Sequence, residues 1–258
     1  GSAMNRKAVI DVGTNSIKFL LAEPGQKGTV KTIIDKNNIA QLGQGLKETG
    51  SISSDAMKRN SEAIAEFSRL AKEKGADEIV GVGTMALRSA QNSDEFVKMV
   101  KDACGVEIKI ISGDEEARLS YLAVLSGIEL DGKLAIFDTG GGSTEFIFGQ
   151  DQTIEKKFSL DIGAVRITEE FFQSDPVTVE ELAQALEEIK SCFTANDVSG
   201  NVNQLVGMGG TVTSIGSVKH QMEKYDPDII QGSKLDLKDV DEQIEGYRSK
   251  TIEQRKNI

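Results

Sequence analysis

The sequence predicts an α/β protein made of two related domains in tandem. Strand-like segments alternate with amphipathic helical stretches along the chain. Its 258 residues suffice for one large core or two smaller ones. Most telling is an internal repeat. Ala8–Leu21 (AVIDVGTNSIKFLL) lies on Ala135–Phe148 (AIFDTGGGSTEFIF) at constant spacing, Asp138 coming 127 positions after Asp11. Gly13 then falls on Gly140, Ser16 on Ser143 and Phe19 on Phe146. Repeats of this kind mark duplicated units. A chance match between short hairpins is the competing reading. The expected domains are 1–125 and 126–258, with Gly1–Ala3 read as an expression scar before Met4.

Lys7–Gly13 and Ser16–Glu23 read as two strands joined by a tight polar turn, and TVKTIID (29–35) as a third strand. A long helix follows from about Ser53 to Lys74, with Met57, Ile64, Phe67 and Ala71 at helical spacing. Glu78–Gly83 is a strand. Asn92–Cys104 is a helix with an Asn92/Ser93 start signal. Val106–Ile111 is a strand, and the next helix starts in IISGDEEARLS (110–120). The second round opens with the strand, glycine turn and strand of KLAIFDTGGGSTEFIFG (133–149). Helices follow near Val165–Phe172 and over VTVEELAQALEEIKSCF (177–193). In the latter, Leu182, Leu186, Ile189 and Phe193 share a face, and Thr178 with Glu181 spells a capping box. VNQLVGMGGTVTSIGSV (202–218) reads strand, turn, helix, and Lys238–Arg248 is a charged helix.

Composition narrows the function classes. A net charge of −11 makes the chain a poor binder of nucleic acid or anionic membrane in bulk. An anionic ligand would need local Arg, Lys, backbone N–H groups or a metal. One His, His220, excludes chemistry built on several His, and two Cys, Cys104 and Cys192, make no disulfide framework. Neither a membrane-length apolar run nor a signal-like segment is present, so a cytoplasmic protein is the expectation. Glycine is abundant, 26 residues against 3 Pro, which points to tight turns and close ligand approach.

Each repeated turn sets an Asp at the end of a strand and follows it with small residues. These are Gly13, Thr14, Asn15 and Ser16 in one, and Gly140, Gly141, Gly142, Ser143 and Thr144 in the other. Residues without bulk let backbone N–H groups converge on an anion, and hydroxyls add donors. Neither turn is a Walker loop, since GxxxxGK(S/T) occurs nowhere in the sequence, nor a dinucleotide fingerprint, because a strand follows each turn rather than a helix. Facing each other across an interdomain cleft, two such loops would grip a phosphate. Asp11 and Asp138 would flank it, holding a divalent cation or orienting water. Plain hairpin turns with Asp as turn former are the alternative. Gly207–Ser214 is a third glycine turn, between strand and helix, suited to an anion or simply close-packed. Arg88, after the strand ending GVG, is a phosphate fork or a solvated arginine.

The acids of GDEEAR divide by position. With Ser112 as N-cap, Glu115 completes a capping box and Asp114 suits the helix dipole. Glu116 has neither task and lies near the inward-turning face with Leu119 and Ser120. It is a candidate general base or an ordinary first-turn glutamate.

Taken in order, AVIDVGTNSIKFLLAE, GVGTMALRSAQN, IISGDEEARLSYLAV, AIFDTGGGSTEFIFG, FSLDIGAVRITEEFF and LVGMGGTVTSIG resemble the exopolyphosphatase / guanosine pentaphosphate phosphohydrolase (Ppx/GppA) family, within the actin, Hsp70 and sugar-kinase superfamily. The resemblance spans nearly the whole chain. It implies two tandem ribonuclease-H-like (actin-like ATPase) domains and a metal-dependent hydrolase releasing the terminal phosphate of polyphosphate or pppGpp. It implies Glu116 as catalytic residue, the turns Asp11–Ser16 and Asp138–Glu145 as phosphate loops, and Arg88, Gly209, Gly210 and Thr211 as further phosphate contacts. Asp11, Asp138 and Glu145 would serve Mg²⁺ or another divalent cation. Long members carry an additional C-terminal helical domain, and short members continue past TIEQRKNI, so the second domain is expected to be truncated at its C-terminal end. The family is often dimeric, which leaves a homodimer open.

The expected reaction is in-line attack of water on a terminal phosphorus, with Glu116 taking the proton. The acidic net charge favours short or Mg²⁺-complexed substrates over long polyanions. Two other functions stay open: an ATP-using phosphotransferase of the same superfold, which would bind nucleotide near Gly207–Thr211, and a non-catalytic module binding pppGpp or polyphosphate.

Overall fold

The computed structural model describes residues 5–129, 132–140, 142–198, 200–224, 227–230 and 232–258. The chain divides into two compact units, Gly1–Ser120 and Tyr121–Ile258. Each is a mixed sheet with helices.

In the first unit, β1 (Lys7–Val12), β2 (Ile17–Pro24) and β3 (Val30–Asn38) form an antiparallel meander. The strands β4 (Glu78–Gly83) and β5 (Ile108–Ile110) run parallel to β1, giving the order β3-β2-β1-β4-β5. Along β1 the buried residues alternate, Ala8, Ile10 and Val12 facing the core and Asp11 the other side, the period-two signature of a half-buried strand. α1 (Leu46–Thr49) is a single turn before α2 (Ser54–Glu73). Ser53 caps α2 by accepting from the Ala56 N–H, and its buried stripe includes Met57, Ile64, Phe67 and Ala71, the residues expected from spacing. Phe67 stacks on Phe19 of β2 with ring centroids 4.9 Å apart, worth about 0.5–1.5 kcal/mol beyond the area buried. α3 (Met85–Ser89) and α4 (Ser93–Cys104) follow β4. Asn92 does not cap α4 as expected. Its side-chain amide instead exchanges two hydrogen bonds with the Ile52 backbone, tying the start of α4 to the segment before α2.

α5 (Gly113–Gly127) begins in the first unit and ends in the second. Ser112 Oγ accepts from the Glu115 N–H at 3.1 Å, but the Glu115 carboxylate lies 3.9 Å from Arg118 Nε. Only half of the expected capping box is formed.

The second unit repeats the meander with β6 (Lys133–Thr139), β7 (Thr144–Gln150) and β8 (Thr153–Leu160), and β9 (Gln204–Met208) pairs parallel to β6. The order is β8-β7-β6-β9. β8 goes beyond the elements expected from the sequence. The duplication extends to fine detail. The β2–β3 ladder slips register between Leu21 and Ala22, and the β7–β8 ladder between Phe148 and Gly149, at repeat-equivalent positions. Gly81 opposite Ile10 is matched by Gly207 opposite Phe137. The turn after β9 is therefore the counterpart of the turn that carries Arg88.

α6 (Ala164–Phe171) and α7 (Val179–Ala195) lie beside a cluster of phenylalanines that includes Phe146, Phe158 and Phe193. The capping box of Thr178 and Glu181 is complete. On the expected apolar face of α7, Ile189 and Phe193 join this core while Leu186 is exposed, and Ala185 is the buried residue. α8 (Gly210–Lys219), α9 (Pro227–Ile230), α10 (Leu237–Arg248) and α11 (Ile252–Arg255) complete the chain. No helix among the described residues is long and apolar enough to cross a membrane.

Candidate functional site

In the first unit the carboxyl ends of three parallel strands come together, the usual place for a ligand in such sheets. The Thr84 N–H donates to Val12 O, and the Ile111 N–H to Gly83 O. Around these ends stand the β1–β2 turn, Arg88 on α3 and Glu116 on α5.

The β1–β2 turn is closed by the Gly13 N–H donating to Ser16 O at 3.0 Å. A loop with no motif of its own braces it from outside. The Gln41 N–H donates to Asn15 O and the Gly43 N–H to Thr14 O. A Cβ on Gly43 would stand 2.3 Å from Thr14 Cγ2, so only glycine permits this approach. Arg59 and Asn60 of α2 hold the loop in turn by donating to Ala40 O. The available sequence signal was the glycine-spaced QLGQGL after β3.

Arg88 is fixed by two bonds. Nη1 donates to Ile111 O at 2.8 Å, and Nη2 donates to Glu116 Oε2 at 3.1 Å. The acid left without a capping task is thus the one engaged by this arginine. Asp11 sits close enough for Glu116 to bear on its charge. Burial pushes the Asp11 carboxyl above its ordinary value; Lys18 opposes this and the charge of Glu116 adds to it. Its Oδ1 is buried without a hydrogen-bond partner.

The second unit carries the matching turn, closed by the Gly140 N–H donating to Ser143 O at 2.9 Å. Asp138 and Glu145 are direct cross-strand partners, so both carboxylates leave the same face of the sheet. Glu145 Oε1 accepts from Ser143 Oγ at 2.8 Å and from Ser159 Oγ at 3.1 Å. Ser159 belongs to no motif visible in the sequence; only the β7–β8 register brings it to Glu145. Gly209 packs against Asp138 so tightly that a Cβ there would lie 2.4 Å from Asp138 Oδ1. Thr211 Oγ1 donates to Thr139 O, fixing the start of α8 to the end of β6. Gly140 is exposed, Gly142 has open space about it, and Gly141 lies outside the described residues.

Several expected donors are engaged within the protein. Thr144 is buried and its hydroxyl donates to Ile162 O at 2.6 Å, so this side chain does not reach out as a phosphate donor. The hydroxyls of Ser143 and Thr211 and the guanidinium of Arg88 likewise have protein partners. Of the expected cation-holding acids, Asp11 belongs to the first unit and Asp138 with Glu145 to the second. Among the described residues no three His, Cys, Asp or Glu gather as a metal site.

A profile of the Ppx/GppA phosphatase family matches residues 20–258. The chain is 34% identical over 250 residues to the bifunctional 3-dehydroquinate synthase/phosphatase of Fusobacterium nucleatum, covering 92% of this chain and 38% of that protein. It is 31% identical over 263 residues to exopolyphosphatase 2 of Mycobacterium tuberculosis, covering 96% and 82%. Among solved structures, the Ppx/GppA enzyme of Aquifex aeolicus superposes with a TM-score of 0.85 at 31% identity, over 98% of this chain and 84% of that one.

Proposed function

The chain belongs to the Ppx/GppA phosphatase family, and from that premise we propose that it hydrolyses a terminal phosphoanhydride, releasing phosphate from inorganic polyphosphate or pppGpp. The observation that carries this reading is the pairing of Glu116 with Arg88 at the carboxyl ends of β1, β4 and β5. A general base and a phosphate-binding cation share one place there, next to the Asp11 turn.

The strand order of the first unit, with three antiparallel strands followed by two parallel ones, supports reading both units as ribonuclease-H-like domains of the actin-like ATPase type. The turns Gly13–Ser16 and Gly140–Thr144 would hold phosphoryl oxygens through backbone N–H groups other than those of Gly13 and Gly140, which close the turns; in the second turn the hydroxyls of Ser143 and Thr144 are already committed within the protein. Gly209, Gly210 and Thr211 would add the N-terminus of α8. Arg88 would turn part of its fork to the phosphate. Glu116 would take the proton of the attacking water.

The carboxylates fit a divalent cation. Two like charges directly opposite on neighbouring strands, as Asp138 and Glu145 are, are unfavourable, and a divalent cation between them would offset that. Magnesium needs only one or two carboxylates beside substrate phosphates and water. When bound, it would supply charge neutralisation for the phosphoryl oxygens. It would also reconcile a chain of net charge −11 with an anionic substrate.

The test is phosphate release from polyphosphate, pppGpp and ATP, with and without Mg²⁺, by wild type and Glu116→Gln. The expected result is Mg²⁺-dependent release from polyphosphate or pppGpp that falls at least about 10²-fold in the variant, with an unchanged circular dichroism spectrum. Turnover near wild type in Glu116→Gln would falsify the general-base role. Transfer of the ATP phosphate to an acceptor would identify a phosphotransferase, and binding without release a non-catalytic module.

A further inference from the structure

The segment Ser159–Ala164 takes no part in the chemistry above, yet it is laced to the second turn at three points. Ser159 Oγ donates to Glu145 Oε1, Thr144 Oγ1 donates to Ile162 O, and the Ala164 N–H donates to Gly140 O. Ser159 stands directly across the β7–β8 ladder from Glu145. With Ser143 on the turn itself, two hydroxyls from different elements converge on one carboxylate oxygen. Oε2 of the same carboxylate has no hydrogen-bond partner among the described residues.

The duplication shows that this is not a default of the hairpin. The repeat-equivalent pair in the first unit is Lys18 opposite Asn37. There the cross-strand neighbour of Asp11 is a cation; in the second unit the neighbour of Asp138 is an anion. Glu145 and its serine belong to the second unit alone. A glutamate side chain on an exposed strand has three free torsions, and hydroxyl donors to a ligating carboxylate fix its orientation.

We propose that Ser159 is a positioning residue for Glu145: together with Ser143 it ties down Oε1, leaving Oε2 beside Asp138 for a divalent cation or its bound water. This rests on the assignment of Asp138 and Glu145 to the cation in the reading above.

Mn²⁺ is the probe, its binding to the substrate-free protein followed by water-proton relaxation, with phosphate release measured in parallel. Ser159→Ala is expected to weaken Mn²⁺ binding about 10- to 100-fold, the range typical for partners that orient metal ligands. Ser159 is exposed, so the variant should fold. Ser159→Thr retains the hydroxyl and suits a strand, and it is expected to restore affinity to within about threefold of wild type. Wild-type affinity in Ser159→Ala overturns the proposal. So does a Ser159→Thr as weak as Ser159→Ala, or a wild type that binds no Mn²⁺. A wild type that binds Mn²⁺ but releases no phosphate sinks the hydrolase reading instead, and the two affinities still decide the role of Ser159.

Discussion

Replacing Gly209 by alanine separates backbone strain from damage at the site. Gly209 has φ +88 and ψ 176, a region essentially reserved for glycine, where another residue costs about 1–3 kcal/mol. The added Cβ would also stand 2.4 Å from Asp138 Oδ1, whereas ordinary contacts lie at 3.4–4 Å. Relief therefore requires the carboxylate to move by about 1 Å. A displacement of that size at a reacting centre can lower the rate about 10²-fold, equivalent to about 2.7 kcal/mol of barrier. Gly105→Ala provides the control. Gly105 has φ +77 at the end of α4, with nothing within 4 Å of a Cβ, so it should cost about 1–2 kcal/mol of stability and leave the rate alone. Urea unfolding and phosphate release under conditions where each variant is folded give both numbers. The expectation is comparable destabilisation and a rate loss confined to Gly209→Ala. Folded Gly209→Ala hydrolysing within about threefold of wild type would refute the argument that Asp138 must stay where Gly209 lets it sit.

Asp11→Asn should raise stability at neutral pH while abolishing most activity, because burial disfavours the charged form of Asp11. The sign follows from proton linkage: a carboxyl raised above its ordinary 3.8 binds its proton more tightly when folded. The wild type therefore loses stability as pH rises from that value to the raised one, and stays lower above it. The gain from Asp11→Asn is expected at pH 7 and should vanish below about pH 4; urea midpoints that are equal or lower for the variant at pH 7 would contradict this. On α5, Ser112→Ala should cost about 1 kcal/mol through the lost cap. Glu115→Gln should cost less than about 0.5 kcal/mol, since its carboxylate makes no reciprocal bond to the cap. Thermal melts giving the opposite ranking would show the box to be complete in solution.

The hairpins, α2, α7 and the turns were legible in the sequence because each rests on a local code. These codes are alternation in Ala8, Ile10 and Val12, helical spacing in Met57 to Ala71, and the Thr178–Glu181 box. What failed to show has a physical cause in each case. The β8 strand hides because Glu155, Lys156 and Lys157 interrupt its alternation, although the repeat alone implies a third strand. Asn92 has a cap's identity, but its amide pairs with the distant Ile52 backbone, which no local pattern encodes. The brace from Gln41 and Gly43 and the Ser159–Glu145 bond are cross-element contacts, set by register rather than spacing. The kinship of the Gly81–Arg88 and Gly207–Ser214 turns was masked because α3 has five residues and α8 ten.

Duplication also explains how one device can serve two tasks. Both hairpins share the closing bond, the Asp near the strand end and the bulge. The difference lies in one register position. Lys18 opposite Asp11 sets a cation against that acid in the first turn, and the proposed general base there comes from α5 as Glu116, paired to Arg88. Glu145 opposite Asp138 leaves the second turn with two carboxylates on one face, an unfavourable juxtaposition that a cation would offset. Under the proposed function, the first unit would move a proton and the second would hold a cation. Exchanging the two side chains, Lys18→Glu with Glu145→Lys, would keep the net charge at −11 but move the paired acids to the first turn. If the division of labour is right, Mn²⁺ binding falls in Glu145→Lys and is not rescued by adding Lys18→Glu, because the first unit has no counterpart of Ser159 to hold the new carboxylate.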